Sequence, residues 1–252
     1  MRNNVDKKFE LCYPIMESDI TLYVDKITSL EKDKNDLIEL RIDYLLNEGV
    51  KIDEIIKMIN YVSTFSNKKL IVTIRTDREG GKYNLDEKKY YDYIERIYLE
   101  TKAEYLDVEY KMYMCSEEKY ENLFNNKLKR IILSIHIFDK RLSKKEYEKL
   151  FLNMLKPNID IVKCAVYLTL KKELFDYMMT ARKVSKIIKN AGKECIFIAM
   201  GEMGRLSRLW PEFTNSKVVF LTTNSEKVSK IGQFTYENFV KYRKLLEKNT
   251  KN

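Results

Sequence analysis

DIVKCAVYL, residues 160–168, is a short run in which Ile161, Val162, Cys164, Ala165 and Val166 surround a single charge, Lys163. Runs this short and this apolar, rich in β-branched residues, fit strands covered on both faces, as in a parallel sheet. The neighbouring runs repeat the pattern on either side, with RIILSIHIF at 130–138 and ECIFIAM at 194–200. Further out lie EYLDVEY at 104–110, KLIVTIRT at 69–76, DLIELRID at 36–43 and FELCYPIM at 9–16, with KVVFLTT at 217–223 toward the other end. Between them run charged stretches with helical periodicity, such as VKIDEIIKMINYVSTF at 50–65 and LFDYMMTARKVSKIIKNAG at 174–192, the second closing on a glycine stop. Eight strands alternating with helices, and no linker rich in Pro, Gly or Ser, predict an α/β chain folded as one (β/α)₈ TIM barrel domain over 1–252. An open doubly wound sheet is the rival. It is disfavoured because no GxGxxG follows the first strand, and because polar residues gather at the C-terminal ends of many strands rather than at one switch point.

The bulk composition agrees with a compact protein: 44% hydrophobic and 34% charged residues over 252, with 7 Gly and 3 Pro. No apolar run approaches the roughly 20 residues of a membrane helix, and MRNNVDKKFELCYP lacks the apolar stretch of a signal peptide, so a cytoplasmic, non-membrane protein is expected. Cys12, Cys115, Cys164 and Cys195 are scattered without a CxxC pair, which speaks against disulfides. The formal net charge of +9 raises nucleic acid as a partner, but Lys is interleaved with Asp and Glu, as in EKDKND and SEEKYEN. Such mixing reads as solvated helix faces, and an anionic small molecule suits the same field.

The charges inside strands carry the chemistry. In IELRID, Glu39, Arg41 and Asp43 alternate with Ile38, Leu40 and Ile42, which sets three ionisable groups on one face. A half-exposed antiparallel strand alternates in the same way. Arg75 ends LIVTIR, Asp107 and Glu109 share a face in YLDVE, and His136 shares one with Ser134, so the repetition favours one polar mouth. Lys163 admits two readings: a buried ion pair with Glu39, Asp107 or Glu109, or an amine tuned for Schiff-base chemistry. His136 is the only histidine, so any imidazole acid/base step falls to it, and its place near a strand's C-terminal end suits proton transfer. One histidine and no Cys/His cluster argue against a zinc site, and neither metal nor cofactor is expected. IAMGEMGRLSRLWPE leaves its strand through two glycines and delivers Arg205 and Arg208, and SEKVSKIGQF places Ser229 and Gln233 after the last strand. Arg208 and Arg75 suit a fork-like clamp on a carboxylate.

These segments resemble the type I 3-dehydroquinate dehydratases across most of the chain. ELRID resembles that family's Glu-x-Arg-x-Asp element, TIRTDREGG its Arg-x-x-x-Glu-Gly-Gly turn, and SIHIF its Ser-x-His-x-Phe. VKCAV resembles its lysine strand and MGEMGRLSRL its Met-Gly-x-x-Gly-x-x-Ser-Arg segment, in the same order. The resemblance implies dehydration of 3-dehydroquinate with an imine on Lys163, His136 as general acid/base and Glu79 holding and tuning it. It implies Glu39, Arg41, Arg75, Arg208, Ser229 and Gln233 as binders of the substrate's hydroxyls and carboxylate, and Phe138, Met200 and Phe220 as apolar lining. It also implies a homodimer without cofactor. Two segments depart from the pattern: Ile137 follows His136 where the family often has Asp, and Ser229-Lys230-Ile231-Gly232-Gln233 stands for Ser-Ala-Pro-Gly-Gln. Without the proline a φ restraint is lost, which makes closure of that loop costlier. Another Schiff-base barrel acting on a sugar phosphate, of the aldolase kind, and a catalytically silent basic binding protein are the competing readings.

Overall fold

Eight strands, each followed by helix, form one parallel sheet in the computed structural model, which describes residues 9–223 and 232–249. The strands are β1 (Glu10–Ile15), β2 (Leu37–Arg41), β3 (Lys69–Thr73), β4 (Tyr105–Glu109), β5 (Arg130–Ile137), β6 (Ile161–Tyr167), β7 (Glu194–Met200) and β8 (Val218–Phe220). They run in the order β7-β6-β5-β4-β3-β2-β1-β8. The remaining gap, between β7 and β8, is stitched just before β8 begins: Cys195 bridges Ser216, and the Lys217 N–H donates to the Cys195 carbonyl at 2.8 Å. The Ser216 hydroxyl accepts from the Phe197 N–H at 2.8 Å. The sheet thereby curls into a nearly closed (β/α)₈ barrel, and no helix among the described residues is long and apolar enough to cross a membrane.

Each strand serves two apolar layers. One face packs outward under the helices, where Leu40, Val72, Leu106, Leu133, Val162 and Phe197 join a continuous buried cluster with helix residues such as Ile55, Tyr98 and Tyr177. The other face points into the barrel, where Cys12, Leu37, Ile71, Tyr105, Ile132, Ile161, Ile196 and Val218 belong to a second, smaller cluster. Burial on both faces is why the strands read as nearly unbroken apolar runs.

Helix boundaries follow local capping chemistry. The helix Ile20–Leu30 starts at Asp19, whose carboxylate accepts the Thr21 and Leu22 N–H groups at 2.7 and 3.2 Å. The helix Lys144–Asn153 opens on a reciprocal box between Ser143 and Glu146. The helix read from 174–192 spans Lys171–Asn190. The segment read from 50–65 becomes a helix at Ile52–Phe65, with Val50 and Lys51 leading into it and Lys51 at the N-cap.

Two sequence expectations need correction. Asp43 does not continue the β2 face; it opens the short helix Asp43–Asn47, because the strand ends at Arg41 and the chain turns there. Arg75 likewise lies two residues beyond the end of β3 rather than within it. Both shifts carry a charged side chain to the rim, where the ladder no longer constrains the backbone.

Candidate active site

Side-chain alternation sorts the barrel interior into levels. Above the apolar floor, the next inward positions of β2 to β6 are Glu39, Thr73, Asp107, Ser134 and Lys163, all of them buried. Lys163 is 3% exposed, and its Nζ lies 2.7 Å from Asp107 Oδ2 and 3.1 Å from Glu39 Oε1. The ion pair that one reading of Lys163 anticipated is therefore present, with Asp107 and Glu39 as the partners. Each carboxylate is held in turn: Thr73 Oγ1 donates to Glu39 Oε1 at 3.0 Å, and Ser134 Oγ donates to Asp107 Oδ1 at 2.5 Å. Burial alone would raise Asp107, but the Lys163 ammonium and the Arg75 guanidinium outweigh it and hold this carboxyl below its usual range. The face of the Phe220 ring, 4.6 Å from Nζ, adds a cation–π contact.

The rim above is richer in cations. Arg41 is clamped by Asp43 through Nε and Nη2 at 2.8 and 2.9 Å, so the residue displaced from β2 orients the last residue of that strand. Arg75 Nε lies 3.3 Å from Glu109 Oε1 without the alignment of a hydrogen bond, because Glu109 already accepts the Thr76 N–H at 2.8 Å and the Thr76 hydroxyl at 2.7 Å. Arg208, on the short helix Arg205–Leu209 after β7, is 5% exposed. Burial draws its guanidinium down to about 10, which still leaves it cationic at neutral pH.

His136 and Glu79 form a buried dyad on the same rim. Glu79 arrives from a one-turn 3₁₀ helix, Asp77–Glu79, that ends on Gly80 with φ +79°. A Cβ on Gly81 would stand 1.9 Å from the Arg75 carbonyl oxygen, so the Glu-Gly-Gly sequence closes the turn at a spacing no other residue permits. Glu79 Oε2 then accepts the His136 backbone N–H at 2.8 Å and lies 3.1 Å from His136 Nδ1. Burial, with Arg75, Lys163 and Arg41 nearby, pulls His136 well below its ordinary value. Burial, reinforced by Glu109, pushes Glu79 up to about 8. Near neutral pH the dyad thus carries one proton more than a carboxylate beside a neutral imidazole. With Glu79 raised and His136 lowered, that proton belongs to the Glu79 carboxyl, 3.1 Å from His136 Nδ1.

Eight of the nine site residues read from the sequence, Glu39, Arg41, Arg75, Glu79, His136, Lys163, Arg208 and Gln233, line one cavity of about 490 Å³ at the C-terminal mouth of the barrel. That volume suits a small organic ligand. Ser229 lies outside the described residues. Phe138, Met200 and Phe220 line the same cavity. Gln233 is buried, and its Oε1 has no hydrogen-bond partner among the described residues. The lining also includes Pro14, Met16, Tyr44, Tyr167 and Ile198, which sequence reasoning passed over. Tyr167 had a signal, since it falls on the inward alternation of Lys163 and Ala165. Tyr44, in the first turn of the short helix after β2, had none.

Known proteins bear on this site. A family model described as type I 3-dehydroquinase matches residues 11–250. A 3-dehydroquinate dehydratase of Streptococcus suis (strain 98HAH33) is 30% identical over 215 residues, covering 84% of this chain and 88% of the relative. One from Lactococcus lactis subsp. cremoris (strain MG1363) is 28% identical over 242 residues, covering 96% and 98%. Among solved structures, the type I 3-dehydroquinate dehydratase of Clostridium difficile, with covalent modified comenic acid, superposes with a TM-score of 0.85 at 25% identity. It covers 95% of this chain and 93% of its own. A barrel of this topology, a buried lysine beneath a His–Glu dyad and a family match that spans nearly the whole chain lead to one assignment: the chain belongs to the type I 3-dehydroquinase family.

Proposed function

We propose that this protein dehydrates 3-dehydroquinate to 3-dehydroshikimate through a Schiff base on Lys163, with His136 as general acid and base. The observation that carries the reading is Lys163 itself, a primary amine at the bottom of a cavity whose rim holds one buried imidazole. The amine adds to the C3 ketone, the carbonyl oxygen leaves as water, and the resulting iminium draws electrons from C2. His136 takes the C2 proton, giving an enamine. The enamine expels the C1 hydroxyl while His136 returns a proton to it, and hydrolysis of the imine frees the product and Lys163. The net change is loss of one water.

Glu79 serves as the partner of His136. As a carboxylate it accepts the Nδ1 hydrogen and leaves Nε2 as the basic nitrogen; as a carboxylic acid it blocks that tautomer. Arg208, Arg75 and Gln233 present donors to a carboxylate, whereas Glu39 and Arg41 address hydroxyls. Phe220, Met200 and Phe138 supply the apolar wall that keeps water from the imine.

The deciding experiment is incubation with 3-dehydroquinate, following the ultraviolet absorbance of the conjugated product, then borohydride reduction and peptide mass analysis. Product together with a reduced adduct on Lys163 is expected, and Lys163→Ala should abolish both. Retention of either by that variant would refute the role given to Lys163.

A further inference from the structure

Lys163 does not meet its two carboxylates on equal terms. Glu39 lines the cavity, and its Oε1 is shared between Lys163 and Thr73. Asp107 is not part of the cavity lining and is fully buried, lying behind Lys163 with its Oδ2 2.7 Å from Nζ. Its other oxygen takes the Ser134 hydroxyl at 2.5 Å, with Arg75 Nη2 3.7 Å away. Leu106 and Val108, its chain neighbours on β4, are fully buried as well. A carboxylate bound on both oxygens and out of a ligand's reach is built to face one atom, the lysine nitrogen.

We propose that Asp107 is the fixed counter-ion of the Schiff base, keeping the Lys163 imine protonated through the elimination. The inference rests on the Schiff-base reading above. When the imine forms, the Nζ lone pair makes the N–C bond and the carbonyl oxygen leaves as water after taking two protons. The nitrogen keeps one hydrogen and one positive charge, and that N–H is what Asp107 Oδ2 accepts. Only the protonated imine withdraws electrons from C2; the neutral imine is a weak sink. Asp107 moves no proton itself. By stabilising the cation it costs some acidity at C2, and it favours the second half of the reaction, in which the enamine nitrogen regains positive charge as the hydroxyl departs.

The other charged groups at this end of the barrel, among the described residues, are Glu39 and Arg41 of β2 with Asp43 beyond it, Arg75 and Glu79 beyond β3, Glu109 of β4, His136 of β5 and Arg208 beyond β7. The Cys12 thiol of β1 is buried within electrostatic reach of Lys163 and is held protonated by that burial. Among the described residues, only Glu39 offers Nζ a second anion in direct contact.

The test compares wild type with Asp107→Asn and Asp107→Glu in the full chain. Turnover of 3-dehydroquinate is measured against pH, alongside cyanoborohydride labelling of Lys163, which reduces the protonated imine and spares the neutral one. In Asp107→Asn the alkaline limb of both profiles is expected to move to lower pH by about 1–3 units, the usual effect of losing an opposite charge at contact distance. Asp107→Glu should restore part of the shift. A folded Asn variant whose alkaline limb coincides with wild type, whatever its maximal rate, would overturn the proposal. Should the Asn variant fail to fold, wild type decides alone: labelling sustained up to about pH 9 supports the counter-ion, and labelling that fades through neutrality overturns it. Absence of any adduct in wild type would instead bring down the Schiff-base reading on which the proposal stands.

Discussion

Replacing Glu79 by Gln should stabilise the folded protein at alkaline pH while impairing the reaction. The carboxyl is 1% exposed, and burial with the nearby Glu109 moves it from its ordinary 4.5 to about 8. The folded chain therefore holds the Glu79 proton more tightly than the unfolded chain does. Stability from this group is full below pH 4.5, declines as pH rises through the window to about 8, and is lost above it. At about 1.4 kcal/mol per pH unit the whole window corresponds to on the order of 5 kcal/mol. Relaxation of Arg75 and of the His136 N–H around the charge brings the expected span to about 2–5 kcal/mol. Glutamine keeps the shape and an oxygen for the His136 N–H but has no proton to lose. Urea unfolding of both proteins at pH 5, 7 and 9 reads the effect directly. The two should be close at pH 5 and diverge steadily, with the variant the more stable at pH 9. A stability difference that stays constant from pH 5 to 9 would refute the reasoning, because it would mean that Glu79 titrates alike in folded and unfolded chains.

The same dyad sets the pH dependence of turnover: kcat/KM should climb as Glu79 loses its proton, through about pH 8, and a flat profile between pH 6 and 9 would contradict the role given to it. Arg208→Ala should raise KM by about 10–200-fold, the 1.5–3 kcal/mol of a charged hydrogen bond, with a smaller change in kcat; steady-state kinetics separates the two. Gly81→Ala should destabilise by more than about 1 kcal/mol and weaken substrate binding through Arg75, since its Cβ would meet the Arg75 carbonyl at 1.9 Å; thermal melting and KM report the two effects.

All eight strands were readable from the chain because a strand buried on both faces leaves an apolar run, and the interruptions in those runs marked the site. Glu39, Asp107, His136 and Lys163 stood out as charges where a wall should be apolar. Physical reading alone gave no sign of Glu79, which sits in a 3₁₀ turn outside any periodic element; only the resemblance of the surrounding turn named it. Asp43 reads as part of the β2 face and Arg75 as the end of its strand, although both lie past the strand ends, where alternation no longer decides direction. Rim residues such as Tyr44 and Met16 depend on the path of the chain after each strand, which a period of two cannot report.

The stitched junction between β7 and β8 also divides the molecule into unequal allegiances. β8 forms its ladder with β1, through Glu10↔Val218, Leu11↔Val219 and Cys12↔Phe220. The last helix, Tyr236–Asn249, follows it there: Phe239 meets Phe9 edge-on at 6.0 Å, and the Arg243 guanidinium lies 5.0 Å over the Phe9 ring. In space, the end of the chain is thus the beginning of the sheet. A circular permutant opened between the helix Arg205–Leu209 and β8, with the present ends joined, would keep every strand-to-strand ladder and interrupt only the seam. The barrel would then be written in the order in which its strands already pair, from β8 round to β7.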